Sequence, residues 1–138
     1  VIARGIASEK EIKEIHNHLN NLVGNFIDKF YYCPHHPEMH DDVPKHAIKY
    51  RIKCECRKPD IGMIKLAKQD FDIDLKKSWM IGDMITDIIT GKNAGCKTIM
   101  VKSPMNKRVI KTKDKVNKEE VKPDFYADNL IEAEKIIQ

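Results

Sequence analysis

Two close-spaced pairs of metal-ligand residues are the most chemically distinctive feature of the sequence. Cys33 and His35 are separated by one residue, and Cys54 and Cys56 follow with the same spacing. Three thiolates and one imidazole complete a tetrahedral zinc site, and a site with no open position is structural. Zinc fingers usually have roughly two to four residues within each pair. The spacing therefore predicts zinc but leaves open a set of free thiols beside solvated histidines.

The segment from residue 33 to residue 58 that carries these ligands has no clear helix or strand period. Because it is poor in apolar residues, burial of apolar surface cannot offset the conformational entropy that the segment loses when it becomes ordered. A bound metal would supply the missing free energy. We therefore predict a long zinc-binding loop over residues 33–58. Its other histidines are expected to be exposed rather than ligands: His36, His40 and His46.

Two acidic residues follow a short apolar run that ends in Gly82. Open α/β sheets bind ligands at the carboxyl ends of their strands, where Asp83 is expected. A carboxylate there can bind Mg²⁺, which brings phosphate oxygens with it. Asp87 lies four residues on and would face the same side of the first helical turn. Helix capping by both carboxylates is the alternative interpretation.

Arg57 and Lys58 directly follow the second ligand pair. A metal-fixed turn would hold both cations rigidly, as phosphate recognition requires, with Arg57 as a fork and Lys58 as a point charge. A solvated basic pair before a helix is the alternative.

The elements that must position these residues alternate between strands and helices. Hydrophobic periodicity and capping signals predict helices over residues 8–24, 60–71, 85–94 and 129–137. Short apolar or β-branched runs predict strands over residues 26–32, 78–81, 98–101 and 124–127. The order strand, acidic turn, helix, glycine, strand is typical of a parallel sheet with right-handed crossovers. Residues 102–122 contain eight Lys or Arg against three acids and are expected to be a solvated surface loop.

The composition limits the class of protein. With 138 residues, 41% of them hydrophobic and 33% charged, we expect one soluble globular domain over residues 1–138. No apolar run approaches the roughly 18 residues of a membrane span. A net charge of +4 without interleaved aromatic residues does not favour nucleic-acid binding. The grouping of three of the four cysteines favours metal over disulfides, and a reducing cytoplasm.

Five motifs follow one another along the chain: Ile2-Ala3-Arg4-Gly5, Tyr31 to Glu38, Cys54 to Pro59 with Gly62-Met63, Ser78 to Asp83 with Asp87, and Ala94 to Ile99. Taken in order, they strongly resemble the D-glycero-D-manno-heptose 1,7-bisphosphate phosphatases. With the histidinol phosphatases, these form one branch of the haloacid dehalogenase (HAD) superfamily. The resemblance covers nearly the whole chain, and its most specific part is Cys-Pro-His-His-Pro with Cys-x-Cys-Arg-Lys-Pro.

The resemblance implies an α/β fold, a Rossmann-like parallel sheet with flanking helices, and Mg²⁺-dependent hydrolysis of a phosphorylated sugar through an aspartyl-phosphate. Lys58 would pair the nucleophile and the phosphoryl group, and Arg57 would contact the substrate. Asp83 would complete the Mg²⁺ shell, with Asp87 in support. The structural zinc would be held by Cys33, His35, Cys54 and Cys56.

Two departures from the family pattern bear on activity. The sequence has neither the Asp-x-Asp-Gly-Thr segment that carries the nucleophile nor the Thr-Asn-Gln turn, and Met84 stands where relatives usually have Lys or Arg. We expect a piece of a longer phosphatase, fused to or associated with the missing amino-terminal segment and inactive alone. A histidinol-phosphate phosphatase and a non-catalytic zinc-stabilised binding module are the alternatives.

Overall fold

The computed structural model describes residues 1–38, 43–103 and 121–138, which form two compact units. The first unit is Val1–Arg57 and the second is Lys58–Gln138. The expectation of one domain over residues 1–138 stays a prediction.

Helix α1 (Glu9–Leu22) opens the first unit with the predicted capping box. The Ser8 hydroxyl accepts a hydrogen bond from the Glu11 amide at 3.2 Å, and the Glu11 carboxylate accepts one from the Ser8 amide at 2.7 Å. These bonds satisfy amide groups that have no partner inside the helix. The predicted helix over residues 8–24 is therefore confirmed to within two residues at its carboxyl end.

The predicted strand over residues 26–32 is wrong. The segment is extended but does not pair with any strand in the described part of the chain. Instead the Asn20 side chain accepts from the Ile27 amide at 3.0 Å and donates to the Ile27 carbonyl at 3.2 Å. The His16 ring stacks on Phe30 with centroids 4.3 Å apart. Side chains of α1 therefore hold this segment in place, whereas the alternating pattern predicted pairing with a neighbouring strand.

Two short 3-10 helices shape the rest of the first unit. Ile2–Arg4 packs against Lys45–Tyr50, and Ile2, Ala3 and Ala47 are buried. The Glu9 carboxylate accepts hydrogen bonds from Tyr50 at 2.5 Å and from Tyr32 at 3.3 Å. The bond from Tyr50 ties α1 to the predicted loop over residues 33–58, and the bond from Tyr32 ties it to the extended segment before that loop. Residue His40, expected to be exposed, lies outside the described residues.

A three-stranded parallel sheet forms the centre of the second unit, as predicted. The strands are β1 (Trp79–Gly82), β2 (Lys97–Val101) and β3 (Phe125–Ala127), hydrogen-bonded in the order β1-β2-β3. Ile81 pairs with Ile99, and Ile99 pairs with Phe125. The helices are α2 (Gly62–Asp70), α3 (Ile85–Ala94), which connects β1 to β2, and α4 (Leu130–Ile137). Most of the predicted solvated loop over residues 102–122 lies outside the described residues.

The two faces of the sheet contact different helices. On one face, Gly91 of α3 lies so close to Met80 and Thr98 that a Cβ added there would approach the Met80 Cβ to 2.6 Å. On the other face, the core consists of Ile99, Ala127 and Ala133 of α4. Residues alternate between the faces of a strand, so one helix layer covers each side of the sheet. Among the described residues, no helix is long and apolar enough to cross a membrane.

Candidate functional site

The four predicted zinc ligands come together in the first unit. One ligand atom from each of Cys33, His35, Cys54 and Cys56 lies within 4.8 Å of all the others. The Cys56 sulfur is 3.1 Å from Cys33, 3.3 Å from Cys54 and 3.3 Å from His35 Nδ1. Cys33 Sγ is 3.5 Å from Cys54 Sγ and 3.9 Å from His35 Nδ1. This group of four side chains, the Cys3His cluster, could hold a metal ion.

Two hydrogen bonds to backbone carbonyls join residues 33–36, which carry two of the ligands, to residues 50–57, which carry the other two. The His36 amide donates to the Tyr50 carbonyl at 2.9 Å, and the Arg57 guanidinium donates to the His35 carbonyl at 3.1 Å.

Tetrahedral zinc with Zn–S bonds of about 2.3 Å places sulfur ligands about 3.8 Å apart. The observed separations are close to that value, so the residues fit zinc after a small outward adjustment.

The surroundings of the three thiols shift their pKa values in different directions. Burial, followed by hydrogen bonds to Cys33 and Cys54, raises the pKa of Cys56 to about 12. Burial also raises the pKa of Cys33. Burial opposes ionisation of Cys54 as well, but hydrogen bonds from the other two thiols lower its pKa. Cys33 and Cys56 are therefore the thiols whose protons a divalent cation would have to displace.

Two of the three predicted catalytic residues of the second unit, Lys58 and Asp87, form a pair near the carboxyl end of β1. Asp83 directly follows the strand and is half-buried. Lys58 forms an ion pair with Asp87, whose carboxylate is only 5% exposed while the Lys58 side chain is 40% exposed. The other Asp87 oxygen accepts a hydrogen bond from the Met84 amide at 3.0 Å. Asp87 therefore caps α3, as the capping interpretation predicted, and also holds the lysine, while its support of Mg²⁺ stays a prediction.

Gly82 is part of this arrangement, although the sequence interpretation gave it no role. A Cβ added at Gly82 would lie 2.3 Å from the Asp87 Cβ and 2.5 Å from Asp87 Oδ2. Only glycine leaves space for the carboxylate to approach the strand end. A glycine directly before the acidic turn was the available sequence signal.

Two further arginines near the Cys3His cluster also had no assigned role. Arg51 directly follows the second 3-10 helix and is 9% exposed, and its Nη1 donates to the Glu38 carbonyl at 2.5 Å. Burial lowers the pKa of His36, and the positive charges of Arg57, Arg51 and Arg4 lower it further against the opposing effect of Glu38. Three arginines therefore act on the loop that carries the metal ligands. In the sequence Arg51 and Arg57 lie six positions apart, whereas Arg4 lies near the beginning of the given chain.

The second unit also agrees with a known family. A model of HAD-hydrolase-like proteins matches residues 55–133, which is more than half of the chain. The chain belongs to the HAD-hydrolase-like family. This membership confirms the predicted superfamily and its α/β fold class. The Cys3His cluster and the Lys58–Asp87 pair are therefore features of a HAD-like chain, and the individual roles of its site residues stay predictions.

Relatives of this HAD-like chain also match its first unit. The D-glycero-beta-D-manno-heptose-1,7-bisphosphate 7-phosphatase of Haemophilus ducreyi is 38% identical over 70% of this chain and 52% of its own length. The D-glycero-D-manno-heptose-1,7-bisphosphate 7-phosphatase of Chlorobaculum tepidum is 30% identical over 96% of this chain and 65% of its own. The protein of the same name from Thermosynechococcus vestitus is 32% identical over 95% of this chain and 66% of its own.

These names confirm the predicted branch of the superfamily. The chain spans between about half and two thirds of the length of these curated relatives. The activity, substrate and partners of the whole protein are therefore matters for proposal.

Proposed function

We propose that this chain is part of a Mg²⁺-dependent phosphatase that hydrolyses a phosphate ester of a sugar bisphosphate such as D-glycero-D-manno-heptose 1,7-bisphosphate. The observation that carries the proposal is the Lys58–Asp87 pair at the carboxyl end of β1. Parallel α/β sheets bind anionic ligands at this end. The names of the relatives supply the substrate, and the similarity to two of them extends over nearly the whole chain.

The described residues would bind and orient the phosphoryl group. The Lys58 ammonium would approach a phosphoryl oxygen, and the buried Asp87 carboxylate would hold the ammonium in position. Asp83 would hold Mg²⁺, whose chemistry is to neutralise charge on the phosphoryl oxygens. The sequence contains no Asp-x-Asp-Gly-Thr segment, so the nucleophile would come from outside these 138 residues.

The Cys3His cluster would hold zinc in a structural role. Its donor set has no open position, and Arg57 is bonded to the carbonyl of one ligand. Zinc would therefore fix the loop that presents Arg57 to the substrate. Thiolate ligands persist in a reducing compartment, so the location that fits this proposal is the cytoplasm.

The test is phosphate release from heptose 1,7-bisphosphate and from histidinol phosphate in the presence of Mg²⁺. The 138-residue chain is compared with the chain extended through its native upstream sequence. We expect release from the heptose substrate by the extended chain only. Release from histidinol phosphate instead would reassign the substrate. If neither protein releases phosphate while zinc is bound, the phosphatase proposal fails and a non-catalytic binding module takes its place.

Variants of the extended chain test the assigned residues. Lys58→Ala and Asp83→Ala should each lower kcat by about a hundredfold or more, because they remove charge that stabilises the transition state. Lys65→Ala is the matched control, since Lys65 is an exposed lysine of α2. Turnover of Lys58→Ala or Asp83→Ala within a few-fold of the control would refute the assignment of that residue.

A further inference from the structure

The Glu9 carboxylate of the first unit binds two tyrosines that lie close to the metal ligands in the sequence. Its oxygen Oε1 accepts a hydrogen bond from the Tyr50 hydroxyl at 2.5 Å, and Oε2 accepts one from the Tyr32 hydroxyl at 3.3 Å. Tyr32 directly precedes Cys33, and Tyr50 lies four positions before Cys54. One side chain of α1 is therefore bonded to both arms of the metal-ligand loop, defined here as residues 32–36 and 50–56.

Tyr50 also links the second arm to the first one. Its carbonyl accepts the hydrogen bond from the His36 amide at 2.9 Å. Its ring lies beside the ring of the ligand His35, with the two centroids 6.4 Å apart and the planes tilted by 44°. A change at Glu9 that released Tyr50 would therefore reach the Cys3His cluster itself.

The two hydrogen bonds of Glu9 close a loop of the chain. Tyr32 and Tyr50 are 18 positions apart, and both donate to the same carboxylate. Closing such a loop costs conformational entropy, which a metal would otherwise have to offset when it binds. Hydrogen bonds to a carboxylate are stronger than those between neutral groups. The bond from Tyr50 in particular lowers the pKa of Glu9 against the opposing effect of burial, so the carboxylate is ionised at neutral pH.

We propose that Glu9 is a positioning residue for the zinc site, which holds the two arms of the metal-ligand loop together before the metal binds and so increases the zinc affinity of the Cys3His cluster. Without its hydrogen bonds, the arms would separate in the metal-free protein, and zinc binding would have to order them. This inference rests on the structural zinc of the proposed function. It adds a residue of α1 that lies outside the loop and is not itself a ligand.

The direct test is the Kd of the extended protein for zinc, measured by competition with a chromophoric chelator. Glu9→Ala should raise this Kd on the order of tenfold, which corresponds to the loss of one charged hydrogen bond. Glu14→Ala is the matched control, because Glu14 is an exposed glutamate of the same helix, where it pairs with Lys10 at 3.8 Å. The control should leave Kd unchanged. Equal Kd values for Glu9→Ala and Glu14→Ala would overturn the proposal.

A conservative variant separates the hydrogen bonds of Glu9 from its charge. Glu9 is the first residue of α1, where a negative charge interacts favourably with the helix dipole. Glu9→Gln loses this charge just as Glu9→Ala does. Its amide, however, can accept from one tyrosine hydroxyl and donate to the other, so it should restore most of the zinc affinity. If Glu9→Gln binds zinc as weakly as Glu9→Ala, the charge alone acts and the proposal is overturned.

A double-mutant cycle tests whether Glu9 acts through Tyr50. Tyr50→Phe keeps the ring and removes only the hydroxyl, so it should raise Kd alone but add little in Glu9→Ala, since both remove the same bond. Additive effects would overturn the proposal. A wild-type protein that binds no zinc would refute the structural zinc of the proposed function and this inference together. Wild-type zinc binding with an unchanged Kd in Glu9→Ala would overturn this inference alone.

Discussion

Replacing Gly82 by alanine should damage both the stability of the second unit and the position of Lys58. The new methyl group would lie 2.3 Å from the Asp87 Cβ and 2.5 Å from its Cγ. Real Cβ atoms do not approach that closely, so the buried Asp87 side chain must move. It would then lose its bond to the Met84 amide and its pairing with Lys58.

The size of the effect follows from two contributions. Overpacking of a close contact costs about 1–3 kcal/mol, and loss of a helix cap costs about 1 kcal/mol. The sum is about 2–4 kcal/mol, which lowers Tm by about 3 °C per kcal/mol for a chain of this size. Misplacement of Lys58 should lower kcat of the extended protein by about ten- to a hundredfold.

The assay is thermal unfolding of the extended protein by circular dichroism, followed by phosphate release at a temperature where the variant is folded. Gly95→Ala is the matched control, because nothing lies within 4 Å of a Cβ at Gly95. Its φ of +82° still penalises alanine, by about 1 kcal/mol. If Gly82→Ala melts no lower than Gly95→Ala and turns over at the wild-type rate, the proposed close fit of Asp87 against the strand end is refuted.

Two further predictions concern metal and pH. Cys54→Ser should lower the zinc content measured by atomic absorption and lower Tm, because a ligand of the Cys3His cluster is lost; Cys96→Ser is the control, and unchanged zinc content in Cys54→Ser would disprove the metal site. Hydrogen bonds from Thr98 and Lys92 lower the pKa of Asp124 from 3.8 to about 2. The contribution of Asp124 to the free energy of unfolding is therefore present above pH 4 and is lost as the pH falls from about 4 to about 2. The carboxylate is 40% exposed, so the screened contribution is about 1 kcal/mol. The free energy of unfolding, measured with urea, should be lower for Asp124→Asn than for wild type at pH 7, and the two values should converge at pH 2. A difference that stays constant with pH would refute the assignment.

Local sequence patterns predicted most of the secondary structure correctly. The capping box at Ser8 and Glu11 and the βαβ order around α3 depend on interactions between near neighbours or on a period that one segment carries alone. The predicted strand over residues 26–32 failed because an alternating pattern cannot show whether a partner strand exists. In this segment the Asn20 side chain bonds to the backbone that a neighbouring strand would otherwise pair.

The sequence by itself determined the ligand types of the Cys3His cluster and the family, since both depend on residue identity and short spacing. Only the tertiary structure decided which charges meet. The pairing of Lys58 with Asp87 spans 29 positions, and the 3-10 helix Ile2–Arg4 packs against a second one, Lys45–Tyr50, from a distant part of the chain. Contacts of this kind are set by the packing of buried surfaces from distant segments, and no local pattern in the sequence records that geometry.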